Sequence, residues 1–104
     1  MAEFVKVARL SDIGEGKLKL VDADGEDVCL INSGGNIYAI QEYCTHEDGP
    51  LHEGSLEGNE VVCPHHQARF DFRTGKVNPE TDWAPRDVKI YEVKVEGEDI
   101  FVKV

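Results

Sequence analysis

The chain has 104 residues, enough for one domain with a modest core. Hydrophobic residues make up 40% and charged residues 31%, which fits a globular chain and excludes a disordered or collagenous one. The net charge of -10 disfavours binding to a phosphate backbone, and no apolar run has the length of a membrane span.

The N-terminal run Met1-Ala2-Glu3-Phe4-Val5-Lys6 lacks the basic flank and apolar stretch of a secretory signal. The expected setting is therefore the cytoplasm. Short alternating runs follow. Phe4-Val5-Lys6-Val7-Ala8 and Lys17-Leu18-Lys19-Leu20-Val21 read as strands. Asp24-Gly25 marks a turn before Val28-Cys29-Leu30-Ile31, which reads as a buried strand with Cys29 as an inert core thiol. Ser33-Gly34-Gly35-Asn36 marks the next turn, and Ile37-Tyr38-Ala39-Ile40 the next strand. Tyr43 reads as the last core residue of that strand.

The segment 44–73 differs in composition. It holds all four histidines and two of the three cysteines, with the pair Gly49-Pro50 and the glycines Gly54 and Gly58. Glu60-Val61-Val62 and Ala68-Arg69-Phe70-Asp71-Phe72 read as short strands about a turn at Pro64. Pro79 to Pro85 is polar and irregular, and Trp83 within it reads as a packing residue. Val88 to Val95 and Ile100 to Val104 alternate again, joined by Glu96-Gly97-Glu98-Asp99. No segment reads as a helix. The expected plan is an all-β body built from 1–43 and 74–104, with an inserted lobe at 44–73 that carries the chemistry.

Two features are chemically pointed. The first is charge: between Lys19 and Arg69 there is no Lys or Arg, but ten Asp or Glu (Asp22, Asp24, Glu26, Asp27, Glu42, Glu47, Asp48, Glu53, Glu57, Glu60). This stretch reads either as a solubilising surface or as a negative face that steers a basic partner.

The second is a pair of clusters, Cys44-Thr45-His46 and Cys63-Pro64-His65-His66, separated by sixteen residues. An odd number of cysteines without a secretory signal points away from a disulfide scaffold. Each cluster offers one thiolate and one imidazole from a loop. Soft sulfur with borderline nitrogen suits zinc or an iron–sulfur centre, not calcium or magnesium. A structural zinc site usually pairs Cys with Cys and His with His, whereas both pairs here are mixed. A zinc-stabilised binding module is the alternative from a different functional class.

The pattern Cys-x-His, sixteen residues, Cys-x-x-His resembles the Rieske 2Fe-2S family. The run Phe70-Asp71-Phe72-Arg73-Thr74-Gly75-Lys76 and the strand-rich ends extend the resemblance over the chain. It implies a Rieske-type antiparallel β-sandwich body with a small inserted cluster-binding lobe of loops and short strands. It also implies one Rieske 2Fe-2S cluster, with Cys44 and Cys63 on one iron and His46 and His66 on the other. His65 is not a ligand in that scheme. His46 and His66 would face the docking partner, Leu51 would cap the cluster, and His52 and His65 would be solvated loop residues. Gln67 would bond backbone in the second loop.

Such a cluster is neutral when oxidised and singly negative when reduced, which makes the added electron easier to accept than at a four-thiolate cluster. Both irons are saturated, so the centre moves electrons and does not bind substrate. High-potential members carry a bridging disulfide and hydroxyl donors near the cluster. Here those positions read Gly49, His65, Ala68 and Phe70, so the expected potential lies at the low end of the Rieske range, about -150 mV. The resemblance thus implies a monomeric one-electron carrier, itself not an enzyme. Its partners are a flavoprotein ferredoxin reductase fed by NAD(P)H and the terminal oxygenase of an aromatic-ring dioxygenase system. The small Rieske subunit of a cytoplasmic nitrite reductase is the alternative within the family.

Overall fold

The structure, a computed structural model, describes residues 4–43, 50–64, 68–78 and 87–103. Its strands are β1 (Phe4–Arg9), β2 (Lys17–Ala23), β3 (Glu26–Ser33), β4 (Asn36–Gln41), β5 (Ser55–Glu57), β6 (Glu60–Val62), β7 (Arg69–Asp71), β8 (Ile90–Tyr91), β9 (Val93–Glu96) and β10 (Asp99–Lys103). Two single 3-10 turns, Leu10–Asp12 and Leu51–Glu53, are the only helical elements among the described residues. Among the described residues no helix is long and apolar enough to cross a membrane.

The strands form three antiparallel sheets, ordered β1-β10-β9, β2-β3-β4-β8 and β5-β6-β7. The all-β reading is correct, and the short polar turns do join hairpins. Asp24 (φ 55°) and Gly25 (φ 94°) both adopt the left-handed backbone that a two-residue hairpin loop needs. Asp22 Oδ1 then accepts the Gly25 N–H at 2.7 Å.

β3 organises the layers. Its apolar run Val28-Cys29-Leu30-Ile31 is fully buried. Side chains alternate between faces along a strand, so successive residues serve different cores. Val28 and Leu30 join Val21, Ala23 and Ala39 against Ala8, Ile100 and Val102 of the β1-β10-β9 sheet. Cys29 and Ile31 join Ile40 against Leu51, Val61, Cys63, Ala68, Phe70 and Phe72. The β2-β3-β4-β8 sheet is therefore a middle layer, covered on one face by a second sheet and on the other by the β5-β6-β7 sheet.

One local expectation needs correction. Val88 to Val95 is not one strand: β8 pairs with β4 and β9 with β10, so the chain changes sheets at Glu92. The Glu92 carbonyl accepts the Lys103 N–H at 2.9 Å at that corner. Ser55-Leu56-Glu57 forms β5 although it carries a single apolar residue and so shows no alternation. The irregular segment containing Trp83 lies outside the described residues.

Candidate metal centre

The Cys–His pairs lie in 44–49 and 63–66, and the structure describes the residues that flank each segment. At the neck of the first, Tyr43 and Pro50 form an antiparallel bridge, and the Leu51 N–H donates to the Glu42 carbonyl at 2.7 Å. Pro50 presets the entry to the turn Leu51–Glu53. The turn must then pass close under β6. A Cβ on Gly54 would stand 1.9 Å from the Val62 carbonyl oxygen, so only glycine fits there.

The second loop follows β6. Cys63 is 1% exposed, and its N–H donates to the Ala68 carbonyl at 2.8 Å, closing the chain across 64–67. β7 leaves from Ala68 and pairs back onto β6, with Val61 opposite Phe70 and Val62 opposite Arg69. The ladder continues outward through a Phe70–Val77 bridge and the Asn78 N–H to the Arg69 carbonyl, 2.8 Å.

The tertiary structure brings the two necks to one place. Leu51, just after the first loop, and Cys63 with Ala68, at the ends of the second, belong to one buried core with Val61, Phe70 and Phe72. Of the four expected ligands Cys63 is described, while Cys44, His46 and His66 lie outside the described residues, as do His65 and Gln67. The donor set fits an iron–sulfur centre: two loops with a shared base, each bearing one thiolate and one imidazole, with Cys63 set among apolar side chains that exclude water.

Several residues read differently in three dimensions. Leu51 is fully buried and packs in the core, a role the expectation of a cluster cap did not include. Tyr43 is 44% exposed, not the last core residue of its strand, and donates its hydroxyl to Asp27 Oδ2 at 3.0 Å. That bond, together with burial and the Glu42 charge, raises the Tyr43 pKa. His52 is not a solvated loop residue: its ring Nδ1–H donates to the Glu42 carboxylate. Glu42, counted with the acidic surface, is buried.

Glu42 is the buried residue at the base of the first segment that the sequence does not single out. The signal lay in the strand period: Tyr38, Ile40 and Glu42 alternate onto one face, and Ile40 is core. Of the remaining acidic stretch, Asp22, Asp24, Glu26 and Asp27 are exposed about the β2–β3 hairpin, whereas Glu57 and Glu60 pair with Arg69 at 3.0 and 3.6 Å. Asp71 and Arg73 pair across a turn, at 3.1 Å. The guanidinium and the Arg73 N–H hold the Asp71 carboxyl below its usual range. Cys29 is buried and unbridged, and burial pushes its thiol pKa far up, the inert state expected of it.

Residues 3–94 match the Rieske [2Fe-2S] domain. The ferredoxin component of the naphthalene 1,2-dioxygenase/salicylate 5-hydroxylase systems of Ralstonia sp. is 39% identical over 103 residues, covering 97% of this chain and 95% of that one. Among solved structures, the ferredoxin of carbazole 1,9a-dioxygenase from Nocardioides aromaticivorans IC177 superimposes with a TM-score of 0.88 and 34% identity, covering 95% of each chain. A complex of reduced oxygenase and oxidized ferredoxin in carbazole 1,9a-dioxygenase matches with a TM-score of 0.86 and 28% identity, covering 95% of this chain and 91% of that one.

Proposed function

The chain belongs to the Rieske [2Fe-2S] domain family, and from that premise we propose that it is the ferredoxin component of a multicomponent aromatic-ring dioxygenase system. It takes one electron from an NAD(P)H-dependent flavoprotein reductase and delivers it to the terminal oxygenase. The observation that carries this reading is coverage in both directions. The chain spans nearly the whole of a dioxygenase ferredoxin component and is spanned by it, so the shared unit is the carrier itself. The carbazole system, in which a ferredoxin of this fold is seen in complex with its oxygenase, supports the second partner.

Cys44 and Cys63 are the thiolate ligands and His46 and His66 the imidazole ligands of the centre. Their spacing supports this, as does the shared core under both loops. The [2Fe-2S] group, when bound, supplies a single reversible electron at a potential raised by its imidazole ligands. This chain's own residues do the rest. The Tyr43–Pro50 bridge and the Cys63–Ala68 hydrogen bond hold the loop bases, while Leu51, Val61, Ala68 and Phe70 keep the base of the site dry. The chain acts as one unit, with the ligand lobe at 44–73 set on a body formed by 1–43 and 74–104. Its setting is the cytoplasm, where a reductase and an oxygenase have access to it.

The test is reconstitution. The purified protein, reduced anaerobically, is mixed with a naphthalene dioxygenase-type oxygenase, and reoxidation is followed by stopped-flow absorption. Electron transfer that supports ring dihydroxylation when a flavoprotein reductase and NADH are supplied is the expected result. A protein that takes no electron from any such reductase, or passes none to an oxygenase, would sink the reading.

A further inference from the structure

Among the described residues Glu42 is the one charged side chain buried in the core, at 1% exposure. It stands two positions before Cys44. Three of its hydrogen bonds cross the first loop. Its carbonyl accepts the Leu51 N–H at 2.7 Å. Its Oε1 accepts the His52 N–H at 3.3 Å, and its Oε2 accepts the His52 ring Nδ1–H. The other ring nitrogen of His52 lies 3.9 Å from the exposed Glu53 carboxylate. One residue thus binds, by main chain and side chain, the two residues that resume the fold after the loop.

A buried carboxylate carries a heavy desolvation penalty that only close hydrogen bonds and an opposite charge offset. An apolar side chain at the same place would hold the core at least as well. What the carboxylate adds is geometry. Charge-assisted bonds fix residue 42 against residue 52 in one register, which apolar packing does not do.

We propose that Glu42 is a positioning residue for the metal centre: with His52 it latches the two ends of the 44–49 loop, so that Cys44 and His46 stay aimed at the metal. The inference rests on the reading of those two residues as ligands. The latch governs how readily the centre is lost, beyond what the same bonds add to the stability of the fold.

The test is iron release from the holoprotein to excess chelator, followed by loss of visible absorption, beside thermal unfolding of the same samples. Glu42→Ala and His52→Ala are each expected to release iron about tenfold faster than the parent, the scale seen when a partner that orients a metal ligand is removed. Glu42→Gln should restore part of the retention, because its amide oxygen still accepts the His52 N–H. The double variant should be no faster than Glu42→Ala alone, since both substitutions open one latch.

Val102→Ala, in the separate core between the two body sheets, is the control. It should lower the unfolding midpoint and leave iron release near the parental rate. The latch is overturned if both alanine variants release iron at the parental rate, or if Val102→Ala releases it as fast as they do. Should Glu42→Ala fail to fold, His52→Ala, whose side chain is 28% exposed, carries the test. A parent that purifies without iron and sulfide would sink the ligand reading and leave the latch to be read from hydrogen exchange. There, faster exchange of the Leu51 amide in His52→Ala supports the latch, and parental exchange overturns it.

Discussion

The amide of Cys63 donates a hydrogen bond to the carbonyl of Ala68 at 2.8 Å, and both residues are buried in the core that also holds Leu51. This one bond closes the second loop at its root. It places Cys63 where the chain emerging from the first loop is packed. Two loops far apart in sequence thereby share a base.

Removing any one of Cys44, His46, Cys63 or His66 should abolish the centre. Cys63→Ser, or alanine at the other three, is expected to give colourless protein. Iron and acid-labile sulfide should be absent, and the reduced sample should lack the paramagnetic signal with average g below the free-electron value. His65→Ala is expected to keep all three. Iron and sulfide assays with low-temperature electron paramagnetic resonance check this.

The reduction potential should lie at the low end of the Rieske range, about -150 mV. Ala68 and Phe70 are fully buried beside Cys63 and offer no hydroxyl. Ala68→Ser and Phe70→Tyr should each raise the potential, because a donor aimed at the cluster sulfurs favours the reduced charge. Protein-film voltammetry decides: a parent above zero, or variants at the parental value, contradicts the argument.

Core packing under the loops should dominate stability. Leu51→Ala removes a side chain with no exposure and should cost about 2–5 kcal/mol. Gly54→Ala forces a Cβ to within 1.9 Å of the Val62 carbonyl oxygen, so backbone must move, at a cost of about 1–3 kcal/mol. Urea unfolding of the holoprotein measures both. An unchanged midpoint in Gly54→Ala would mean that the turn at 51–54 relaxes freely.

The Asp71–Arg73 pair should contribute to the acid limb of stability. The folded carboxyl titrates below its unfolded value, chiefly through its hydrogen bonds to Arg73. Its contribution is therefore present at neutral pH and disappears as pH falls from the unfolded carboxylate pKa through the lower folded one. The pair is partly exposed, so solvent screening keeps the effect small. Arg73→Met should flatten the stability profile below about pH 4 and leave its shape unchanged above pH 6. Unfolding midpoints across that range test it.

Cys29 should resist alkylation in the native protein. Its thiol is fully buried and its pKa is raised by desolvation and by the Glu42 charge, so almost no thiolate forms at neutral pH. Mass spectrometry after iodoacetamide treatment should find it unmodified until denaturant is added.

The outline of the fold was legible where the determinants are short in range. Strand alternation and the Asp24-Gly25 turn depend on neighbours along the chain, and the strands built on them are present, with Val88 to Val95 divided between two sheets. The donor residues were legible for the same reason. Their types and spacing are local, and the pairing of Cys with His states the ligand chemistry without reference to the rest of the molecule.

What only the tertiary structure decided was how distant segments share space. The run at β3 announced burial, but not that Val28 and Leu30 face one core while Cys29 and Ile31 face another. Nothing local marks Glu92 as the corner between sheets, because the corner is set by which edges, β4 and β10, are open to receive the strand. Glu42 in sequence is one more acid in an acidic stretch. Its burial follows from a partner ten residues away, and a carboxylate enters a core only where such a partner stabilises its charge.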